Sequence, residues 1–373
     1  MLDLSQGLEA VYQHYKISPE YGFLPEQPPL EKLPAAFEDW EEIAQQLADL
    51  VARQEVVASV ASRNAFPWRQ LEGAAQLERA MQLLAFIGHA WIVESGSVII
   101  PSQLAQPWSA MAERLGRPPV IAHPSYVLHN WRRSVPRSGL QYENLEVLQP
   151  ILGGKDEAAF ILVTVMMEYH GASAIRGLIG ALEGSIRGDI NEVEHGLREI
   201  LEALGRMTSS FDLMREDCRP SFFYDRIRPY LASFQGMVMQ GVGKESPQDY
   251  HGGSAAQSSI MQSLDAGLSL EAPPAHHRAF LHKMREYMPR EHAAFVKELE
   301  KDERLVVFCR QHSPLQSARQ ACIEALVAFR NEHLKIMAEY IIAPAKGQEA
   351  LGTGGTHPSR FLKSVRDATK HSP

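Results

Sequence analysis

Hydrophobic positions along the chain recur mostly at spacings of three and four, the period of a helix with one buried face. In AFEDWEEIAQQLADLVARQ, Phe37, Trp40, Ile43, Leu47 and Val51 form one such stripe, predicting a helix from Ala36 to about Gln54. Similar patterns cover about Gln70–Trp91 and Pro101–Leu115. Downstream they cover about Asp156–Gly171, Ser173–Gly188, Ile190–Arg215, Phe222–Phe234, Ala255–Leu270, His277–Tyr287, Arg290–Lys301 and Leu315–Ile342. The Pro-rich first thirty-five residues read as an irregular lead-in, and SGSVIIPS is the one strand-like piece. No repeat and no alternation of strand with helix is present, so the expected class is all-α. RRSVPRSGLQY, Arg132 to Tyr142, reads as a linker. It divides the chain into a smaller helical domain, residues 1–138, and a larger one, residues 139–373.

Composition narrows the function. Hydrophobic residues make up 45% of the 373, enough for a sizeable core. Thirty-seven basic against 45 acidic residues give a net charge of −8, which argues against a nucleic-acid partner. The three cysteines, Cys218, Cys309 and Cys322, form no CxxC pair and fit a reducing cytoplasm. MLDLSQGLEA has neither a basic n-region nor an apolar h-region, so no signal peptide is expected. The longest apolar run, Ala158–Met167, is half the length of a membrane span of about 20 residues, so no membrane partner is expected either.

Familiar catalytic motifs are absent. GVGKE, Gly241–Glu245, lacks both the upstream glycine and the Ser or Thr of a phosphate loop. HHRAFLH has no two histidines four apart, and neither HExxH nor GxSxG occurs. The informative segment is the last long helix, where Cys322, Leu326, Phe329, His333, Met337 and Tyr340 follow one stripe. A histidine there is either a core residue satisfied by one hydrogen bond or an axial ligand to haem iron. Arg330 lies one turn earlier and suits a propionate or a buried carboxylate. Periodicity does not choose between these readings.

FRNEHLKIMAEYIIAPA followed by GTGGTHPSRFLKSVRDAT resembles the C-terminal end of the indoleamine 2,3-dioxygenase family of haem dioxygenases. The resemblance continues upstream through HGGSAAQSSIMQSLDAGLSL, REYMPREHAAFVKELE, FFYDRIRPYLASF, EYHGASAIRGLI and YENLEVLQP, covering most of residues 120–373. It implies an all-α fold whose larger domain encloses haem b, with His333 as the proximal iron ligand. Asp265 and Arg330 match a pair beside that ligand and the haem edge. Arg228 matches the arginine that grips the substrate carboxylate, and Thr353, in GTGGT, matches a loop residue that closes over the amino-acid end. Phe223, Tyr224, Phe160, Tyr126 and Val127 match the pocket above the iron, with the backbone at Gly253, Ser254 and Ala255 on the substrate side. Three residues depart from the family pattern: Tyr224 stands where Phe is usual, Thr164 where Ser is, and His123 where Tyr is. All three sit at pocket positions.

The implied activity inserts both atoms of O2 across the C2–C3 bond of an indole, with L-tryptophan to N-formylkynurenine as the leading reaction. The implied partners are an indole amino acid, O2 and an electron donor that keeps the iron ferrous. Two alternatives stay open: another indole oxidation or rearrangement in secondary metabolism, and a non-catalytic haem gas or redox sensor.

Overall fold

The structure, a computed structural model, describes residues 1–5, 7–135, 139–243, 246–347 and 358–372. Ser138 at the expected domain boundary, Lys244 and Glu245 of GVGKE, and Thr353 with the rest of GTGGT lie outside the described residues.

Helices dominate, as the periodicity requires. The Pro-rich lead-in is not wholly irregular: α1 (Leu8–Tyr15) buries Val11, Tyr12 and Tyr15. Eight residues are too few to show a clear period. The stripe from Phe37 to Val51 belongs to α2 (Glu38–Gln45) and α3 (Leu47–Arg53), which break at Gln46 while keeping one buried face. Next come α4 (Val56–Ala61), α5 (Gly73–Ser95) and α6 (Ser102–Leu115). SGSVIIPS supplies β1 (Ile99–Ile100). Within the stretch read as a linker, β2 (Arg132–Arg133) pairs antiparallel with β3 (Leu145–Glu146).

The centre is a hairpin of two long helices, α7 (Lys155–Arg187) and α8 (Ile190–Asp217). Gly171 does not end α7 as its sequence position suggests. A Cβ there would lie 2.3 Å from Ile260 Cδ1, so the glycine admits a neighbouring side chain. By length and composition α7 could cross a bilayer, but 61% of its most apolar window is buried in protein, as in a core helix. The turn is set by Gly188 (φ 73°) and by the Asp189 carboxylate, which accepts from the Asn191 and Glu192 amides. The two helices touch backbone to backbone: a Cβ on Gly196 would sit 2.3 Å from the Gly177 carbonyl oxygen.

The segment read as a helix from Phe222 to Phe234 breaks up instead. It runs through α9 (Pro220–Phe222), a π turn (Phe223–Ile227) and a 3-10 turn (Arg228–Leu231) into β4 (Phe234–Met239). Pro229 explains the break, since it has no amide to continue the helix. β4 pairs parallel with β1 and antiparallel with β5 (Gln248–Tyr250). Then follow α10 (Ser259–Gly267), α11 (Ala275–Arg285), α12 (Arg290–Leu299) and α13 (Arg304–Arg310). Last are α14 (Ser313–Met337), which ends in a π turn (Ala338–Ile342), and α15 (Pro358–Lys370). The buried side chains of α7, α8 and α14 join one continuous core with those of α5. The expectation of an all-α protein holds.

Candidate active site

His333 projects from α14 beside the core. Its ring is half-buried and stacks on Phe211 of α8, with centroids 5.9 Å apart and planes 19° from parallel. Phe329, one turn earlier, closes a second side at 6.5 Å. Among the described residues neither ring nitrogen makes a hydrogen bond. Burial, and then the Arg330 charge, push the imidazole pKa down to about 4, so the ring is neutral with a lone pair available.

The neighbouring charge is accounted for. Arg330 is buried and donates through Nη2 to both carboxylate oxygens of Asp265 on α10, at 2.6 and 2.7 Å. Its Nη1 contacts the Thr369 hydroxyl of α15. The pair read from sequence therefore exists in space, one turn from His333. Among the described residues no group of three or more His, Cys, Asp or Glu side chains could hold a bare metal ion. A porphyrin would bring a metal at His333 its other ligands. A lone neutral imidazole flanked by rings and a paired arginine fits that cofactor.

The expected pocket residues assemble into a run of rings. Tyr126 lies 5.9 Å from Phe160, Phe160 lies 4.7 Å from Phe223, and Phe223 lies 6.0 Å from Tyr340. Three of these four sit on π turns: Tyr126 in Pro124–Leu128, Phe223 in Phe223–Ile227 and Tyr340 in Ala338–Ile342. The extra residue in a π turn shifts side chains out of the α register, and such turns gather at functional sites. Val127 is buried in the first of them. Arg228 follows the second and is half-buried, with its guanidinium carbon 5.0 Å from the Tyr224 ring centroid. Tyr224 thus shares the arginine's setting.

Other expected residues are placed differently. The Thr164 hydroxyl donates to the Phe160 carbonyl within α7 at 2.9 Å. His123 turns its ring into a buried polar knot, with Nε2 2.8 Å from Glu168 Oε1, which also accepts from the Ser258 hydroxyl at 2.6 Å. Gln257 ties this knot to the substrate-side loop. Its Oε1 accepts from the amides of His123 (3.0 Å) and Ser254 (3.4 Å), while Nε2 donates to the Gly252 carbonyl (2.9 Å). A Cβ on Gly252 would lie 2.0 Å from the Leu231 carbonyl oxygen, so that loop needs glycine. The Ser254 hydroxyl caps the Ala256 amide at 3.2 Å, and Ala255 is exposed.

Sequence reasoning did not assign Phe86, Phe211 or Tyr340 to the site. Tyr340 carried a signal, since it falls two turns after His333 on the same stripe. Phe86 and Phe211 lie on distant helices, and nothing local marks them.

Comparison with known proteins follows the same line. A family model described as indoleamine 2,3-dioxygenase matches residues 11–372, extending the resemblance from residues 120–373 to nearly the whole chain. Indoleamine 2,3-dioxygenase 1 of Rattus norvegicus is 31% identical, with 98% of this chain and 96% of that protein aligned. A 6-hydroxytryptophan 2,3-dioxygenase of Fusarium equiseti is 29% identical, with 98% of each aligned. A myoglobin of Haliotis madaka is 29% identical, with 95% and 97% aligned. The chain therefore belongs to the indoleamine 2,3-dioxygenase family, an oxidoreductase of the haem-dependent dioxygenase type.

Proposed function

We propose that this protein opens the pyrrole ring of an indole amino acid, with L-tryptophan to N-formylkynurenine as the leading reaction and haem b as the cofactor. The observation that carries the proposal is the neutral imidazole of His333, free of hydrogen bonds among the described residues, beside a paired Arg330–Asp265. When bound, the haem supplies the O2 chemistry. The chain's own residues ligate, orient and exclude water. His333 offers its lone pair, and Asp265 keeps the neighbouring guanidinium neutralised. The rings of Tyr126, Phe160 and Phe223 form an apolar wall for a flat aromatic substrate. Arg228 supplies a planar, charged donor for a carboxylate. An external electron donor holding the iron ferrous, a cytoplasmic setting and a place in tryptophan breakdown complete this reading.

The names of the relatives span an indoleamine and a 6-hydroxytryptophan, so an indole bearing an amino group is the shared class, and Arg228 favours its amino-acid members. Anaerobic optical titration of the dithionite-reduced holoprotein with L-tryptophan and substituted indoles, followed by O2 and product mass, tests the proposal. Saturable spectral change and a product heavier by both oxygen atoms are expected. Ferrous protein that takes up O2 but converts no indole amino acid would instead favour the non-catalytic class named by the myoglobin relative.

A further inference from the structure

Tyr126 stands out within its wall. It is 4% exposed, with its ring between Phe86 (5.7 Å, 26° from parallel) and Phe160 (5.9 Å). Its hydroxyl is enclosed yet makes no hydrogen bond among the described residues. Two other buried tyrosines are satisfied: the Tyr340 hydroxyl lies between the carbonyls of Met214 (2.8 Å) and Cys218 (2.7 Å), and Tyr287 accepts from the His251 amide (2.8 Å). Burial holds the Tyr126 pKa well above the ordinary phenol value, so the group remains an O–H donor. A buried donor without a partner is costly, so it calls for a partner that a bound molecule could supply.

The fold also fixes where this donor is presented. The turn Pro124–Leu128 is pinned from α5, where Gln82 Nε2 donates to the carbonyls of Ser125 and His129, both at 3.1 Å. Arg79 Nη1 donates to Gln82 Oε1 at 2.9 Å and so sets which way the amide faces. Arg79 is itself held by Glu41 of α2, through Nε at 3.2 Å and Nη2 at 2.7 Å. All three side chains are buried, and a fully satisfied buried network of this kind holds a backbone in one geometry. On the other side the rings continue through Phe160 to Phe223, whose turn leads into Arg228.

We propose that the Tyr126 hydroxyl is a selectivity group that hydrogen-bonds a polar substituent on the benzo ring of the substrate, so that the pocket favours ring-hydroxylated indole amino acids. The proposal rests on the reading of the site given above and names the substrate class within it. A rigid buried donor discriminates strongly against a ligand that leaves it unpaired, whereas an apolar wall does not by itself favour a hydroxyl over a methyl.

The test is equilibrium binding to the haem-loaded protein under anaerobic conditions. The probes are L-tryptophan, 5- and 6-hydroxytryptophan, and 5- and 6-methyltryptophan as apolar isosteres, titrated into wild type and Tyr126→Phe. In wild type at least one hydroxytryptophan is expected to bind roughly five- to thirtyfold tighter than its methyl isostere. In Tyr126→Phe that ratio is expected to fall to near one. A wild-type ratio near one at both ring positions overturns the proposal, whether or not the variant folds. So does a ratio that survives in Tyr126→Phe. Failure of every indole amino acid to bind would overturn the substrate reading and this one together, whereas binding without preference overturns this one alone.

Discussion

At the scale of single residues, burial and hydrogen bonding together make His333 the proposed haem ligand. The ring is neutral because burial and Arg330 both disfavour its charged form, and among the described residues neither nitrogen makes a hydrogen bond. Replacing it with alanine is expected to leave a folded protein that has lost haem or its histidine-ligated spectrum. Circular dichroism read beside the Soret band checks this, and a full haem complement with an unchanged Soret band would remove His333 as the ligand. Arg228 makes a separate claim on the substrate. Arg228→Ala is expected to weaken binding of the amino acid roughly ten- to a hundredfold, the size of a lost charge-assisted contact, with haem content unchanged. Tryptamine, which lacks the carboxylate, supplies the control. If it binds wild type as well as tryptophan does, no carboxylate grip exists.

At the scale of elements, two devices shape the site: π turns that present aromatic rings and glycines that let helices meet. The turns at Pro124–Leu128, Phe223–Ile227 and Ala338–Ile342 deliver Tyr126, Phe223 and Tyr340 to one run of rings. The crossing of α7 and α8 depends on Gly177 and Gly196. Gly196→Ala is therefore expected to destabilise the protein by about 1–3 kcal/mol, because the added methyl meets backbone rather than a movable side chain. Gly205→Ala, on an exposed face of the same helix with nothing within 4 Å, is expected to stabilise by roughly 0.5–1 kcal/mol through helix propensity. Paired thermal melts decide the matter. Equal shifts in the two variants would mean that the close crossing does not govern the effect.

At the scale of the whole molecule, buried histidines couple the fold to pH. His89 on α5 joins two separate segments: its Nε2 accepts from the Ile121 amide at 2.8 Å, and its Nδ1 lies 2.7 Å from the Tyr230 carbonyl. Because Ile121 supplies the proton, Nε2 must be unprotonated, and burial holds the His89 pKa down to about 4. His292 is held at about 4 for the same reason. In the unfolded chain both groups return to about 6.5. Between those values the unfolded chain binds more protons, so stability rises with pH through the window. It is complete above about pH 6.5 and is lost on falling toward pH 4, by on the order of 3 kcal/mol for His89. Urea midpoints are expected to drop steadily from pH 7 to pH 4.5, with a shallower slope in His89→Asn. A midpoint that stays flat across the window would contradict this account.

The sequence by itself determined whatever depends on local order. The period of three to four made the class all-α, and separated motifs in one order identified the family and singled out His333 as the candidate ligand. Arg330, one turn before His333, was legible for the same reason, since a single helix fixes both. Tertiary structure decided the rest. Gly171 reads as a helix end in sequence, and only the approach of Ile260 shows why α7 runs through it. Proline in RIRPY and the π turns cut apparent helices, because the lost or shifted hydrogen bonds depend on what packs around them. The pairing of Glu168 with His123, the stacking of Phe211 on His333 and the packing of Tyr126 between Phe86 and Phe160 join residues far apart in the chain. Periodicity reports which face of a helix is buried. What that face meets is settled only when the helices pack, and that packing sets the chemistry of the pocket.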